Sequence, residues 1–191
     1  MVTTLHTRAA GTRRSRRTSG WRQWARPESS ALTLNFAYGI NITKEFSVRC
    51  RSATDLGHAV LSGHRWLSNR RGVATVVPCP GSDVHGVLWA LSGRDLAALD
   101  LFEGVHSGLY TRTLKQIQAD ASSKPCWCWV YQATDAAVGE PRRLYIEAIM
   151  SAAEDRRFPR KYVQELRAWA AGSAPALNQE RARALPALLS G

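Results

Sequence analysis

The order in which hydrophobic periods change along the chain limits its fold more than any other feature. Alternating apolar residues, the two-residue period of a strand with one buried face, recur in short runs at 34–38, 59–67, 73–77, 84–91, 111–118 and 126–133. Turn-forming clusters separate them, among them PCPGSD at 78–83 and DASSKP at 120–125. One helix is expected within this series, over 93–103, with Ser92 as N-cap and Asp95 completing a carboxylate form of the capping box. Two more are expected after the last strand, at 143–154 and 159–171. The second opens on proline and turns Tyr162, Val163, Leu166, Trp169 and Ala170 inward. Strands interrupted by one early helix and followed by helices predict an α+β domain, a mixed five- to six-stranded barrel-like sheet with flanking helices, rather than a doubly wound sheet.

The 191 residues, 45% hydrophobic and 21% charged, suit one folded domain and exclude wholesale disorder. No apolar run approaches the roughly 18 residues of a membrane-spanning helix, and the N-terminus carries no apolar export segment, so a cytoplasmic protein without membrane contact is expected. Of the formal charge of +11, +6 falls in residues 1–33, where seven arginines face only Glu28. That Arg- and Ser-rich stretch has no helical or strand period and reads as a disordered arm, with the domain at 34–171 and an Ala-rich tail at 172–191. The arm alone would suit a polyanion such as a nucleic acid, and the modest charge of the remaining chain argues against one.

Cys50, Cys79, Cys126 and Cys128 form no C-x-x-C, and the C-x-C at 126–128 is too tight for zinc, so free thiols are expected. His58 and His64 lie on one strand while His85 and His106 are remote in sequence, and no metal site is predicted.

Glu103 is the informative residue. At 100° per residue it falls within about 60° of Leu96 and Leu99, so a carboxylate shares the stripe that should face the core. Desolvation there raises its pKa, whereas a neighbouring cation would lower it. The segment FAYGIN at 36–41 ends a strand on Gly39, where a sharp turn would leave backbone N–H groups free for an anion or a developing oxyanion. Asn41-Ile42-Thr43 also spells a glycosylation acceptor, which the lack of an export segment argues against.

These pieces recur together. FAYGIN at 36–41 is followed by RCRSA at 49–53, RGVATVVP at 71–78, VHGVLWAL at 84–91, LDLFEGV at 99–105 and GLYTR at 108–112. The chain thereby resembles the γ-glutamylcyclotransferase (AIG2-like) family, whose motifs run FAYGSN, RCPSA, G-x-A-T, G-v-x-W and LDxxEGV, with a tyrosine six or seven residues after the glutamate. The similarity continues through PRRLYIEAI at 141–149 and FPRKYVQEL at 158–166, covering about residues 34–167.

The resemblance implies a six-stranded barrel-like sheet and an enzyme that cyclises a γ-glutamyl amine or amino acid to 5-oxoproline, releasing the free amine without cofactor or metal. Glu103 matches the family's catalytic glutamate, the general base and then acid. Tyr38, Gly39, Ile40 and Asn41 fall on its substrate loop, and Tyr110 and Tyr145 match tyrosines lining its pocket. Ile40 stands where the family has serine, which removes a hydroxyl and adds a β-branched side chain at the pocket rim. Arg51 stands in place of a proline. The alternative reading is a catalytically inactive ligand-binding or nucleic-acid-associated module on the same fold, with Ile40 blocking chemistry. Oligomeric state is not legible in the sequence.

Overall fold

The computed structural model describes residues 32–122, 124–176 and 179. Strand β1 (Thr33–Ala37) leads through a 3₁₀ turn (Ile40–Ile42) and one turn of helix, α1 (Phe46–Arg49), into β2 (Thr54–Ser68) and β3 (Ala74–Leu91). Helix α2 (Gly93–Glu103) precedes β4 (Tyr110–Ala119) and β5 (Cys126–Ala133), and α3 (Arg143–Asp155) and α4 (Arg160–Ala170) follow. The five strands form a closed barrel in the order β1-β3-β2-β4-β5. All ladders are antiparallel except that between β1 and β5, whose parallel register pairs Asn35 with Trp129 and Phe36 with Val130. Closure leaves no unpaired sheet edge.

Five strands, not six, arise because the runs expected at 73–77 and 84–91 are one strand, β3. The proline- and glycine-rich 78–83 segment reads as a chain reversal, yet it stays within the ladder to β2. Between the pairs Ser62–Asp83 and His64–Pro78, residues 79–82 bulge opposite Gly63 alone. Gly63 and Gly81 take positive φ of 71° and 79° there, and Pro80 loses no ladder bond because it lies among the unpaired bulged residues.

Phe36, Leu67, Val76, Leu91, Ile117 and Val130 fill the core. Helices α3 and α4 bury Ile146, Ile149 and Ala153, and Tyr162, Val163, Leu166 and Trp169, against it. The helical period therefore identified the face of α4 correctly except at Ala170, which ends the helix exposed. Pro159 is the N-cap of α4 rather than a residue of its first turn.

All four cysteines are free thiols. The arm expected at 1–33 lies outside the described residues except Leu32 and Thr33, and the 172–191 tail does so except 172–176 and 179. Among the described residues, no helix is long and apolar enough to cross a membrane.

Candidate active site

Helix α2 carries Glu103 as its last residue. The Ser92 hydroxyl accepts the Asp95 N–H while the Asp95 carboxylate accepts the Ser92 N–H, the reciprocal box that satisfies the first orphan amides. At the other end Gly104 takes the left-handed conformation, φ 64°, and stops the helix. Between these fixed ends Leu99 is fully buried and Leu96 partly so, while Leu101 and Phe102 lie exposed. The phase holds Glu103 on the inner stripe.

Opposite it stands the 39–41 turn. The carbonyl of Tyr38 accepts the Trp66 indole N–H and that of Asn41 the Trp89 indole N–H, each at 3.2 Å. In a trans peptide the Gly39 N–H points opposite to the Tyr38 carbonyl, away from the Trp66 indole. Gly39 has φ −111°, a backbone open to other residues, so no left-handed turn demands a glycine here. Space does: a Cβ at Gly39 would stand 2.7 Å from the Tyr145 hydroxyl oxygen and 3.2 Å from the Ala74 Cβ.

Glu103 and the turn are joined directly. The Asn41 side-chain N–H donates to Glu103 Oε1 at 2.6 Å, and Arg49 Nη1 donates to Asn41 Oδ1 at 3.2 Å, fixing which way the amide faces. Arg49 itself lies over the Phe102 ring, 4.0 Å from its centroid. Burial pushes the Glu103 carboxyl up to about 7, while Asn41, then Arg49 and Arg71, pull it back down. Buried and bonded in this way, Asn41 is not a surface glycosylation acceptor.

A cavity of about 210 Å³ lies between these groups. Tyr38, Gly39, Ile40, Asn41, Glu103, Tyr110 and Tyr145 all line it, so the seven residues singled out in the sequence converge on one space. Ile40 sits in its wall without closing it.

The tyrosines differ in what their hydroxyls can do. Tyr38 donates to the Tyr131 carbonyl, a bond across the β1–β5 seam, and is committed to structure. Tyr110 donates to the Ala74 carbonyl at 2.8 Å. Tyr145 instead accepts, from the Ala74 N–H at 3.1 Å, and the Ile40 amide also serves its oxygen. Its own proton remains to be donated into the cavity. Burial raises all three pKa values, that of Tyr145 to about 12, so each hydroxyl is neutral.

Sequence reasoning did not single out Arg71, Arg142 or Tyr131, which also line the cavity. In a chain with 26 Lys and Arg, charge alone does not reveal which arginines face a site. Tyr131 shares strand parity with the exposed Trp127 and is buried because Asp100 of α2 covers it, accepting its hydroxyl proton at 2.6 Å. His85, remote from His58 in sequence, meets it across the β2–β3 ladder at 2.9 Å, with Asp120 on the other nitrogen of His58 at 2.8 Å. This cluster lies outside the cavity lining, and among the described residues no group of His, Cys, Asp or Glu is arranged to hold a metal ion.

Comparison with known proteins agrees with this architecture. The AIG2-like family model matches residues 83–166. The γ-glutamylcyclotransferase of Homo sapiens is 29% identical over 163 residues, covering 78% of this chain and 85% of that protein. The γ-glutamylcyclotransferase of Bos taurus is 29% identical over 152 residues, 74% of this chain and 80% of that one. Among solved structures, a γ-glutamyl cyclotransferase superposes with a TM-score of 0.66 at 28% identity, covering 72% of this chain and 87% of its own. An uncharacterized protein from Homo sapiens superposes with a TM-score of 0.66 at 30% identity, covering 72% and 88%. The chain is thus similar to γ-glutamylcyclotransferases and to AIG2-like proteins in sequence and in fold.

Proposed function

We propose that this protein is a γ-glutamylcyclotransferase that converts γ-glutamyl amines or γ-glutamyl amino acids to 5-oxoproline and the free amine, with Glu103 as general base and then general acid. The observation that carries this reading is a half-buried carboxyl with its pKa raised to about 7, sharing one cavity with the 39–41 turn.

The substrate's α-amino group is protonated at neutral pH and is no nucleophile until it loses a proton. A carboxylate with a pKa near 7 accepts that proton and is still able to return it, whereas an ordinary glutamate is too weak a base and stays ionised at neutral pH, with no proton to return. The freed amine attacks the γ-carbonyl carbon and the five-membered ring closes. The negative charge that develops on the carbonyl oxygen is met by the Gly39 N–H and the Tyr145 O–H. The intermediate collapses as the C–N bond to the departing amine breaks: Glu103 hands that nitrogen the proton it took, and the second proton of the ring nitrogen follows it, so that the lactam is neutral and the amine leaves as its ammonium. No water is consumed and no redox change occurs. Holding the substrate curled in a confined cavity supplies much of the rate.

The test is incubation of the purified chain with γ-glutamyl-alanine and γ-glutamyl-ethylamide, with 5-oxoproline measured directly. Product is expected, and Glu103→Gln, folded by circular dichroism, should turn over at least a hundredfold more slowly. No product from either compound, or full activity in the Gln variant, would overturn the reading.

A further inference from the structure

Two cations line the cavity without handling the proton that Glu103 moves, although Arg71 helps to lower the Glu103 pKa. Arg71 lies in the turn between β2 and β3, and Arg142 immediately precedes α3. The two segments are tied together, the Arg142 N–H donating to the Gly72 carbonyl at 3.0 Å. Gly72, at φ 72°, leaves the space that the stem of Arg142 fills, for a Cβ there would stand 2.8 Å from the Arg142 Cγ. The Arg71 guanidinium lies 5.2 Å from the Tyr110 ring centroid, and its Nη2 donates to the Leu109 carbonyl at 3.3 Å. One donor is spent there out of the five that a guanidinium carries. The arginine ion pairs among the described residues engage Arg112, Arg143, Arg156 and Arg167. Neither Arg71 nor Arg142 has a carboxylate partner within that set.

A charge count gives these residues a use. A γ-glutamyl alkylamide brings one ammonium, which Glu103 takes, and one carboxylate. Glu103 is the cavity's single acidic side chain among the described residues, so two arginines and a turn of amides offer more anion capacity than that one carboxylate fills. The surplus fits acidic groups on the far side of the scissile bond, and Arg142, which is exposed, sets that surplus at the rim of the cavity. Guanidinium is the side chain best shaped for carboxylates.

We propose that Arg71 and Arg142 form an anion subsite at the cavity rim that holds acidic groups of the departing amine, so that substrates rank by the negative charge of that amine. The expected order is γ-glutamyl-glutamate, then γ-glutamyl-alanine, then γ-glutamyl-ethylamide. This rests on the cyclotransferase reading above.

The experiment measures kcat/KM for the three compounds in the full chain, in Arg71→Gln, Arg142→Gln and the double variant, at low and high salt. The native chain should follow the stated order, and salt should compress it. In the double variant the ratio of kcat/KM for γ-glutamyl-glutamate over γ-glutamyl-ethylamide should fall about tenfold, through KM, with Arg71→Lys keeping part of it. An equal loss for both compounds would assign Arg71 to tuning Glu103 and overturn the subsite, as would a native chain indifferent to charge.

Calorimetric binding of the same compounds to Glu103→Gln separates the two claims. Preferential binding of γ-glutamyl-glutamate without turnover by the native chain would keep the subsite and reject the cyclotransferase. Equal binding would reject the subsite whatever the turnover. The singly substituted Arg142→Gln, altered at an exposed position, keeps the test valid if the double variant fails to fold.

Discussion

Asn41 donates its side-chain amide to Glu103 at 2.6 Å across 62 residues of chain, and this bond couples the turn after β1 to the end of α2. It favours the ionised carboxylate, opposing the burial that favours the neutral acid. Asn41→Ala removes the donor, so the Glu103 pKa should rise further, by about one unit for a hydrogen bond to a charged group. The base would then form only at higher pH. The acid limb of the kcat/KM profile should move upward, and an unmoved limb would detach Asn41 from the titration.

Glu103 also makes stability depend on pH. Its folded pKa of about 7 lies above the ordinary 4.5, so folding favours the protonated form. The native chain should hold this contribution in full below about pH 4.5 and lose it as pH rises through 7, with a ceiling of about 3 kcal/mol. Glu103→Gln cannot ionise. Its Tm should therefore gain on that of the native chain between pH 5 and 8, as thermal melts across that range would reveal. A gap constant with pH would contradict a buried, titrating carboxyl.

At Gly39 the constraint is space, and the effect of filling it can be predicted. Gly39→Ala sets a methyl 2.7 Å from the Tyr145 hydroxyl and should cost about 1–3 kcal/mol in urea unfolding. Tyr145→Phe removes the obstructing oxygen. Combined, the two should cost less than their sum, with a coupling of about 0.5 kcal/mol or more. Strict additivity would mean that the two residues do not compete for one space.

Ser92→Ala tests the far end of the helix that carries Glu103. Ser92 accepts the Asp95 N–H at 3.2 Å, and its hydroxyl donates back to the Asp95 carboxylate at 2.7 Å. Its loss should lower stability by about 1 kcal/mol. Since Leu99 and Gly104 still fix the other end of α2, kcat should change less than twofold. A large fall in kcat with little change in stability would show that the cap positions Glu103 directly.

What the sequence disclosed of this site followed from local rules. The phase of α2 and its glycine stop are consequences of one helix's own residues, so Glu103 could be placed on the Leu99 stripe before any fold was known. Gly39 was identifiable as a pivot, though for the wrong reason, because its neighbour Tyr145 lies 106 positions away and close approach cannot be read locally. The β2–β3 ribbon was misread for the same cause: Pro78, Pro80 and Gly81 look like a reversal unless His64 and Gly63 are known to stand across from that stretch. Arg71 and Arg142 were hidden by abundance, since nothing along an arginine-rich chain distinguishes the two that line a cavity.

The parallel register between β1 and β5 is two residue pairs long, yet Tyr38 and Tyr131 clasp one another across it and both border the cavity. One of the barrel's two shortest zips, the β2–β4 ladder being the other, thus runs beneath its reaction chamber. Mild denaturant should unfasten that zip first and silence turnover while most of the backbone ladder still holds, so that lost activity becomes an early gauge of a loosening hoop.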